Sequence, residues 1–246
     1  MKIAIVRLSA LGDIVHSMVV LQFIKKHYPD SVVDWIVEKR FKGVLESNPH
    51  INQIHQISIK STSKSKSLVL FWKELRKIRK LSKYDLVIDM QGLIKSALVA
   101  RFIPSEITFG FDKNSLRENL AAFYYNQTYM IDYAENVVER NLALVSYALK
   151  FPFDQEDITC KESFLFSSQK HTFKNISTAK KNIILIPGAS YLAKCYPMEK
   201  CVNLTKKIDA NFIIVWGNEN ERAIANEIKH QSANIKVNVL EALSFD

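Results

Sequence analysis

Six glycines, six prolines and three cysteines are all that 246 residues supply. So little glycine and proline excludes collagen-like and linker-like chains. Cys160, Cys195 and Cys201 form no even set and no C-x-x-C pair. A disulfide framework and a thiolate zinc site are therefore not expected, and a reducing cytosol fits. No apolar run is long enough to span a bilayer. The leading run Ile3-Ala4-Ile5-Val6 meets Arg7 too early for a signal peptide. Neither G-x-G-x-x-G nor the Walker pattern G-x-x-x-x-G-K-[ST] occurs, which disfavours the usual dinucleotide fingerprint and P-loop ATP hydrolysis. The six histidines contain no H-E-x-x-H, so zinc is not expected. No aspartate is followed two residues later by another, so the D-x-D pattern that holds a divalent metal on a sugar nucleotide is missing.

What is present is ordinary for a globular protein: 48% hydrophobic and 24% charged residues. The net charge of +9 is unevenly placed, because Lys60–Lys80 carries eight bases against the single acid Glu74. Such a patch attracts polyanions, whether nucleic acid, anionic lipid or a phosphorylated substrate. A solvated helix face behind a Ser/Lys loop is the competing reading, and long helices often carry Lys and Arg outside.

Strand-like and helix-like segments alternate along the first half. Strands are predicted at Lys2–Leu8, Val32–Val37, Ile54–Ile59, Asp85–Asp89 and Glu106–Phe111. Helices are predicted at Asp13–His27, Arg40–Glu46, Leu68–Leu81, Ile94–Phe102 and Glu135–Leu149. This alternation predicts an α/β fold with parallel strands and crossover helices. The polar stretch 151–181 reads as a linker between a first domain, 1–150, and a partial second domain, 182–246. In the second domain the pattern restarts, with strands at Ile183–Ile186, Phe212–Trp216 and Ile235–Leu240 and helices at Pro197–Lys207 and Glu219–His230.

With glycine so sparse, its positions are informative. Gly12, Gly92, Gly188 and Gly217 each follow a predicted strand, where ligands bind in open parallel sheets. Permitting a tight turn is the plainer reading of each. Asp13 opens a helix, where a capping role is common, and a carboxylate at a strand end can also take a proton from a substrate hydroxyl. His16 lies three residues on, on the same helix face, as a substrate contact or a plain helix-end imidazole. Lys194 precedes a helix start, a place suited to a phosphate group, although an exposed lysine needs no ligand. Glu219 and Glu221 follow Trp216-Gly217. They are candidates to accept hydrogen bonds from ribose hydroxyls, or acids favoured by the positive end of a helix.

Three blocks carry a resemblance. Ser9-Ala10-Leu11-Gly12-Asp13-Ile14-Val15-His16, Asp89-Met90-Gln91-Gly92-Leu93-Ile94-Lys95-Ser96, and Phe109-Gly110-Phe111-Asp112 with Leu116-Arg117-Glu118 resemble the ADP-heptose:lipopolysaccharide heptosyltransferases. The likeness is strongest to the heptosyltransferase I branch and runs the length of the chain. It implies a GT-B architecture, with two Rossmann-like domains facing across a cleft and the second one truncated here. It implies inverting transfer of heptose from ADP-heptose to the Kdo of Kdo-lipid A, needing neither metal nor cofactor. Asp13 matches the catalytic base and Lys194 the lysine on the donor diphosphate, with Gly188 and Ser190 beside it. Glu219 or Glu221 matches the ribose contact. Acceptor contacts are implied at Gly12, His16, Gln91, Lys95 and Arg117, with Lys60 and Lys64 in the basic segment toward Kdo and the lipid A phosphates. A family segment Asp-Thr-Gly-x-x-His, which contacts the donor phosphates, has no counterpart in these residues. The resemblance further implies a cytoplasmic protein held peripherally on the anionic inner-membrane face, with no nucleic-acid partner. The alternatives are a heptosyltransferase II-like enzyme, an inactive fragment and a basic polyanion-binding module.

Overall fold

The structure, a computed structural model, describes residues 1–58, 68–168, 175–189, 191–232 and 237–243. The chain divides into two compact units, Met1–Ser168 and Gln169–Ser244. The first runs β1 (Lys2–Val6), α1 (Leu11–Met18), α2 (Val20–His27), β2 (Val32–Glu38), α3 (Gly43–Glu46), β3 (Gln53–Ile57), α4 (Leu68–Ile78), β4 (Tyr84–Asp89), α5 (Ile94–Phe102), β5 (Ser105–Phe111), β6 (Gln127–Tyr129), α6 (Val137–Leu149) and α7 (Gln155–Thr159). Its six strands lie in the order β3-β2-β1-β4-β5-β6, every pairing parallel.

The apolar run of β1 is explained by cover on both faces. Ile3 and Ile5 join one core with Trp35, Ile14 and Leu144, while Ala4 and Val6 join the other with Ile36, Leu75 and Val99. Period-two alternation thus feeds two layers at once. Each fully buried isoleucine contributes about 1.5–3 kcal/mol. Asp34 interrupts β2 in the second layer, where Tyr84 Oη donates to its carboxylate at 2.6 Å and Lys2 Nζ lies 3.6 Å away.

Two local expectations give way, and one short strand was not foreseen. The apolar spacing predicts one helix over 13–27, but the regular helix is interrupted at Val19. Ser17 Oγ donates back to the Asp13 carbonyl at 2.7 Å and accepts from Asn141 Nδ2 at 3.0 Å, and a hydroxyl bonded to the i−4 carbonyl bends helices. The three-residue strand β6 is too short to carry a periodic signal. The residues from 151 to 168, read as linker from their polar composition, lie within the first unit. Phe151 stacks on His27 at 4.6 Å, Phe153, Ile158 and Phe164 pack on the first core, and Glu162 N donates to Gln22 Oε1 at 2.9 Å. Four spaced apolar residues decide the packing there, and an average over their polar neighbours hides them.

The second unit contains β7 (Asn182–Leu185), α8 (Met198–Lys207), β8 (Asn211–Ile214), α9 (Glu219–Gln231) and β9 (Val237–Val239), with a parallel sheet ordered β7-β8-β9. Phe212 and Ile214 pack with Cys201, Val202, Ala225, Ile228 and Val237. Among the described residues no helix is long and apolar enough to cross a membrane.

Candidate functional site

In the first sheet the chain winds outward from β1 through β2 to β3, then from β4 through β5 to β6 on the other side. The carboxyl ends of β1 and β4 therefore flank a topological switch point, the usual ligand position in such sheets. Here the loops after the two strands are tied together. Gln91 Oε1 accepts from the N–H groups of Leu8 at 2.8 Å and Ser9 at 3.2 Å. Asp89 ends β4 fully buried, with Oδ1 accepting from Gln91 N at 2.8 Å and Oδ2 from Tyr125 Oη at 2.8 Å. Burial pushes the Asp89 carboxyl above its ordinary range, against the opposing pull of these bonds. Gly92 turns the chain at φ +68°, and a Cβ there would stand 2.2 Å from Leu116 Cδ2.

Beside these loops lies a cavity of about 480 Å³, lined among others by Asp13, Gln91, Arg117, Tyr133 and Arg140. Asp13 is the third residue of α1 and caps the start of that helix through its side chain, Oδ2 accepting from Ala10 N at 3.2 Å. Half of the Asp13 side chain remains exposed, and Arg7 Nη2 lies 3.3 Å from the same Oδ2. Arg7 is almost wholly buried, and desolvation lowers its pKa while Asp13 and Asp89 oppose the fall.

The structure brings Asp13, Gln91 and Arg117 to one cavity. Gln91 spends its carbonyl oxygen on the loop backbone, so it serves first as a tie. Gly12, His16 and Lys95 are exposed and are not among the described lining residues. Lys60, Lys64 and Ser190 lie outside the described residues. Arg7, Tyr133 and Arg140 were not singled out by sequence reasoning. Arg7 stands directly after an apolar strand, a signal that was available, whereas the other two arrive from the segment around α6 only through the fold.

In the second unit the two candidate glutamates separate. Glu221 Oε2 accepts from Gly217 N at 2.7 Å and its Oε1 from Asn218 Nδ2 at 2.7 Å, so both oxygens are spent on the loop after β8. Glu219 is exposed, lies 3.3 Å from Arg222 Nη1, and lines a second cavity of about 480 Å³ with Trp216, Arg222 and residues 239–242 at the end of β9 and beyond it. Trp216 Nε1 donates to the Leu240 carbonyl at 2.7 Å, and the Arg222 guanidinium lies over the indole at 5.3 Å. Lys194 is exposed in a one-turn 3-10 segment, four residues before α8, with Nζ 5.7 Å from the Tyr191 ring centroid. Gly188 sits against the Glu221 carboxylate.

The profile of glycosyltransferase family 9 (heptosyltransferase) matches residues 71–246. The chain is 40% identical, over its whole length and 73% of the other protein, to lipopolysaccharide heptosyltransferase 1 of Campylobacter coli. The chain belongs to glycosyltransferase family 9, the heptosyltransferases. Lipopolysaccharide heptosyltransferase 1 of Escherichia coli K12 is 29% identical over 67% of this chain and 53% of its own length. Among solved structures, E. coli heptosyltransferase WaaC with ADP-2-deoxy-2-fluoro heptose matches at TM-score 0.81 and 25% identity, covering 99% of this chain and 77% of that one. WaaC with ADP matches at 0.79 and 23%, covering 99% and 76%. This heptosyltransferase chain thus spans between about half and three quarters of the length of these relatives.

Proposed function

We propose that the protein transfers L-glycero-D-manno-heptose from ADP-heptose to the Kdo of Kdo-lipid A in lipopolysaccharide core synthesis. Relatives named lipopolysaccharide heptosyltransferase 1 and the fluoro-heptose complex of WaaC support this class of donor and product. The observation that carries it in this chain is the half-exposed carboxylate of Asp13 at the β1–β4 switch point, in a cavity lined by Arg7, Arg117 and Arg140. Of these, the guanidinium groups of Arg117 and Arg140 suit an anionic acceptor.

In the proposed reaction, Asp13 takes the proton from the acceptor hydroxyl as its oxygen bonds to the anomeric carbon. The bond from that carbon to the diphosphate oxygen breaks on the opposite face, so configuration inverts and ADP departs. Lys194 stabilises the charge gathering on the leaving diphosphate. Glu219 receives the ribose hydroxyls beside Trp216, and no step requires a metal.

Peripheral contact with an anionic membrane surface is part of this reading. Val69 and Trp72 are exposed on α4, which also presents Lys73 and Arg76 outward, with Arg79 and Lys80 just beyond its end. Exposed aromatics beside basic residues suit a headgroup layer.

The deciding experiment measures heptose transfer to Kdo-lipid A by the wild-type chain and by Asp13→Asn. General-base help is worth about 10²–10⁴ in rate, and a loss of that size in kcat with ADP affinity kept is expected. Wild-type turnover in Asp13→Asn refutes the assignment of the base.

A further inference from the structure

Arg7 is 8% exposed, an unusual place for a guanidinium unless it is paired. Nη1 donates to the Met90 carbonyl in the loop after β4. Nη2 lies 3.3 Å from Asp13 Oδ2 in α1. Nε is buried with no hydrogen-bond partner among the described residues. The other contact to the Asp13 carboxylate, from Ala10 N at 3.2 Å, also falls on Oδ2. Among the described residues, no protein group donates to Oδ1.

We infer that Arg7 is a positioning residue for Asp13, gripping Oδ2 and leaving Oδ1 unclaimed for the acceptor hydroxyl. The inference rests on the reading of Asp13 as the base.

The physical case begins with what packing alone requires. Packing alone could be met by replacing both partners of such a pair with apolar side chains, which is often neutral or stabilising and strands neither a charge nor Nε. A structure that keeps the guanidinium keeps its costs, and the contacts obtained are directional ones to Asp13 and Met90. A half-exposed carboxylate in the first turn of a helix can still rotate about its side-chain bonds. A base works only within hydrogen-bond reach of the proton it takes, so fixing one oxygen removes a search from each turnover. The Met90 contact makes that position depend on the β4 loop, which Gln91 joins to the β1 loop. Asp89 and Arg140 both act on the Arg7 charge, and Arg117, Tyr133 and Glu135 line the same cavity. The Arg7–Asp13 pair therefore sits among charges of both signs, and direct contact is what selects Oδ2.

The test is a double-mutant cycle in heptose transfer on the full chain, with Arg7→Met, Arg7→Lys, Asp13→Asn and Asp13→Asn/Arg7→Met. Arg7→Met is expected to lower kcat about 10–100-fold, a part of the general-base contribution, with both KM values little changed. Arg7→Lys, which keeps the cation and loses the fork, is expected to recover most of the loss. The double variant is expected to be no slower than Asp13→Asn alone, because a residue acting through Asp13 has nothing left to position. Wild-type kcat in Arg7→Met overturns the inference, as does a further loss in the double variant equal to that of Arg7→Met alone. If Arg7→Met does not fold, Arg7→Gln carries the cycle: a loss in the wild-type background that vanishes beside Asp13→Asn supports the inference, and wild-type kcat or an undiminished loss overturns it. Near-normal turnover in Asp13→Asn refutes the base itself, whereas a slow Asp13→Asn beside a normal Arg7→Met refutes only the role of Arg7.

Discussion

The Glu221 carboxylate stands where a side chain on Gly188 would have to go: a Cβ there would come within 2.1 Å of Glu221 Cδ. Glu221 also accepts from Gly217 N and Asn218 Nδ2, each at 2.7 Å. One side chain thus braces the loop after β8 and packs on the loop after β7. Glu221→Ala should destabilise the second unit by about 0.5–1.5 kcal/mol, the net worth of hydrogen bonds whose exposed donors water can take over. Gly188→Ala should do the same by expelling Glu221. Glu219→Ala should leave stability within about 0.5 kcal/mol, as exposed substitutions usually do, yet weaken ADP binding. Thermal melts and calorimetry with ADP separate the two glutamates; equal effects on ADP binding at unchanged stability would contradict this division.

Gly92 holds a φ of +68° and faces Leu116 at a distance that admits no Cβ. The left-handed conformation costs an L-residue about 1–2 kcal/mol. Gly92→Ala should therefore destabilise the first unit by at least that amount. Because Leu116 lines the same cavity as Asp13, the KM for acceptor should also rise. Denaturant unfolding and steady-state kinetics check the two effects.

Gln91 contributes as a brace. Gln91→Leu keeps the bulk and removes the acceptor shared by Leu8 N and Ser9 N. A stability loss of about 1–3 kcal/mol is expected. Turnover should fall more than acceptor affinity, since the loosened loop leads into the helix that carries Asp13. If acceptor KM rises while kcat stays fixed, Gln91 acts as a substrate contact instead.

Asp89 gives a pH dependence with a definite sign. Burial raises its carboxyl pKa in the folded chain, so the native state holds that proton at pH values where the unfolded chain releases it. The associated stability is fully present below the unfolded pKa and is lost as pH rises through the folded one. Asp89→Asn keeps an acceptor for Gln91 N and a partner for Tyr125 Oη without the titration. The stability of Asp89→Asn relative to wild type should therefore improve as pH increases from the acid range toward neutrality. Urea unfolding at a series of pH values measures this, and a constant or shrinking difference would count against it.

Much of the architecture was legible because it rests on local patterns. The β1 run at Ile3–Val6 alternates between two cores, which marks a buried parallel strand. The glycines at 92, 188 and 217 marked strand-end loops, while Gly12 falls one residue inside α1. Legibility failed where tertiary contacts outweigh local composition. The segment from Phe151 to Ser168 looked like linker, yet its spaced aromatics dock on the first core. Lys95 and His16 belong to the family-like blocks, but helix phase leaves both exposed and outside the cavity lining.

The sequence by itself determined the parallel α/β class, the strand-end turns and the placing of Asp13 at the start of the helix after β1, because hydrophobic periodicity and turn residues act over a few neighbours. Tertiary structure alone decided that Arg7 and Arg140 share a cavity with Asp13, that Gln91 ties two loops, and that Glu221 is a brace while Glu219 stays exposed. The first two depend on groups meeting across 80 or more residues of chain, as between Leu8 and Gln91, which is fixed only when the sheet closes its strand order; Glu221 takes its donors from three and four residues away, but the Gly188 it packs on comes from the loop after β7.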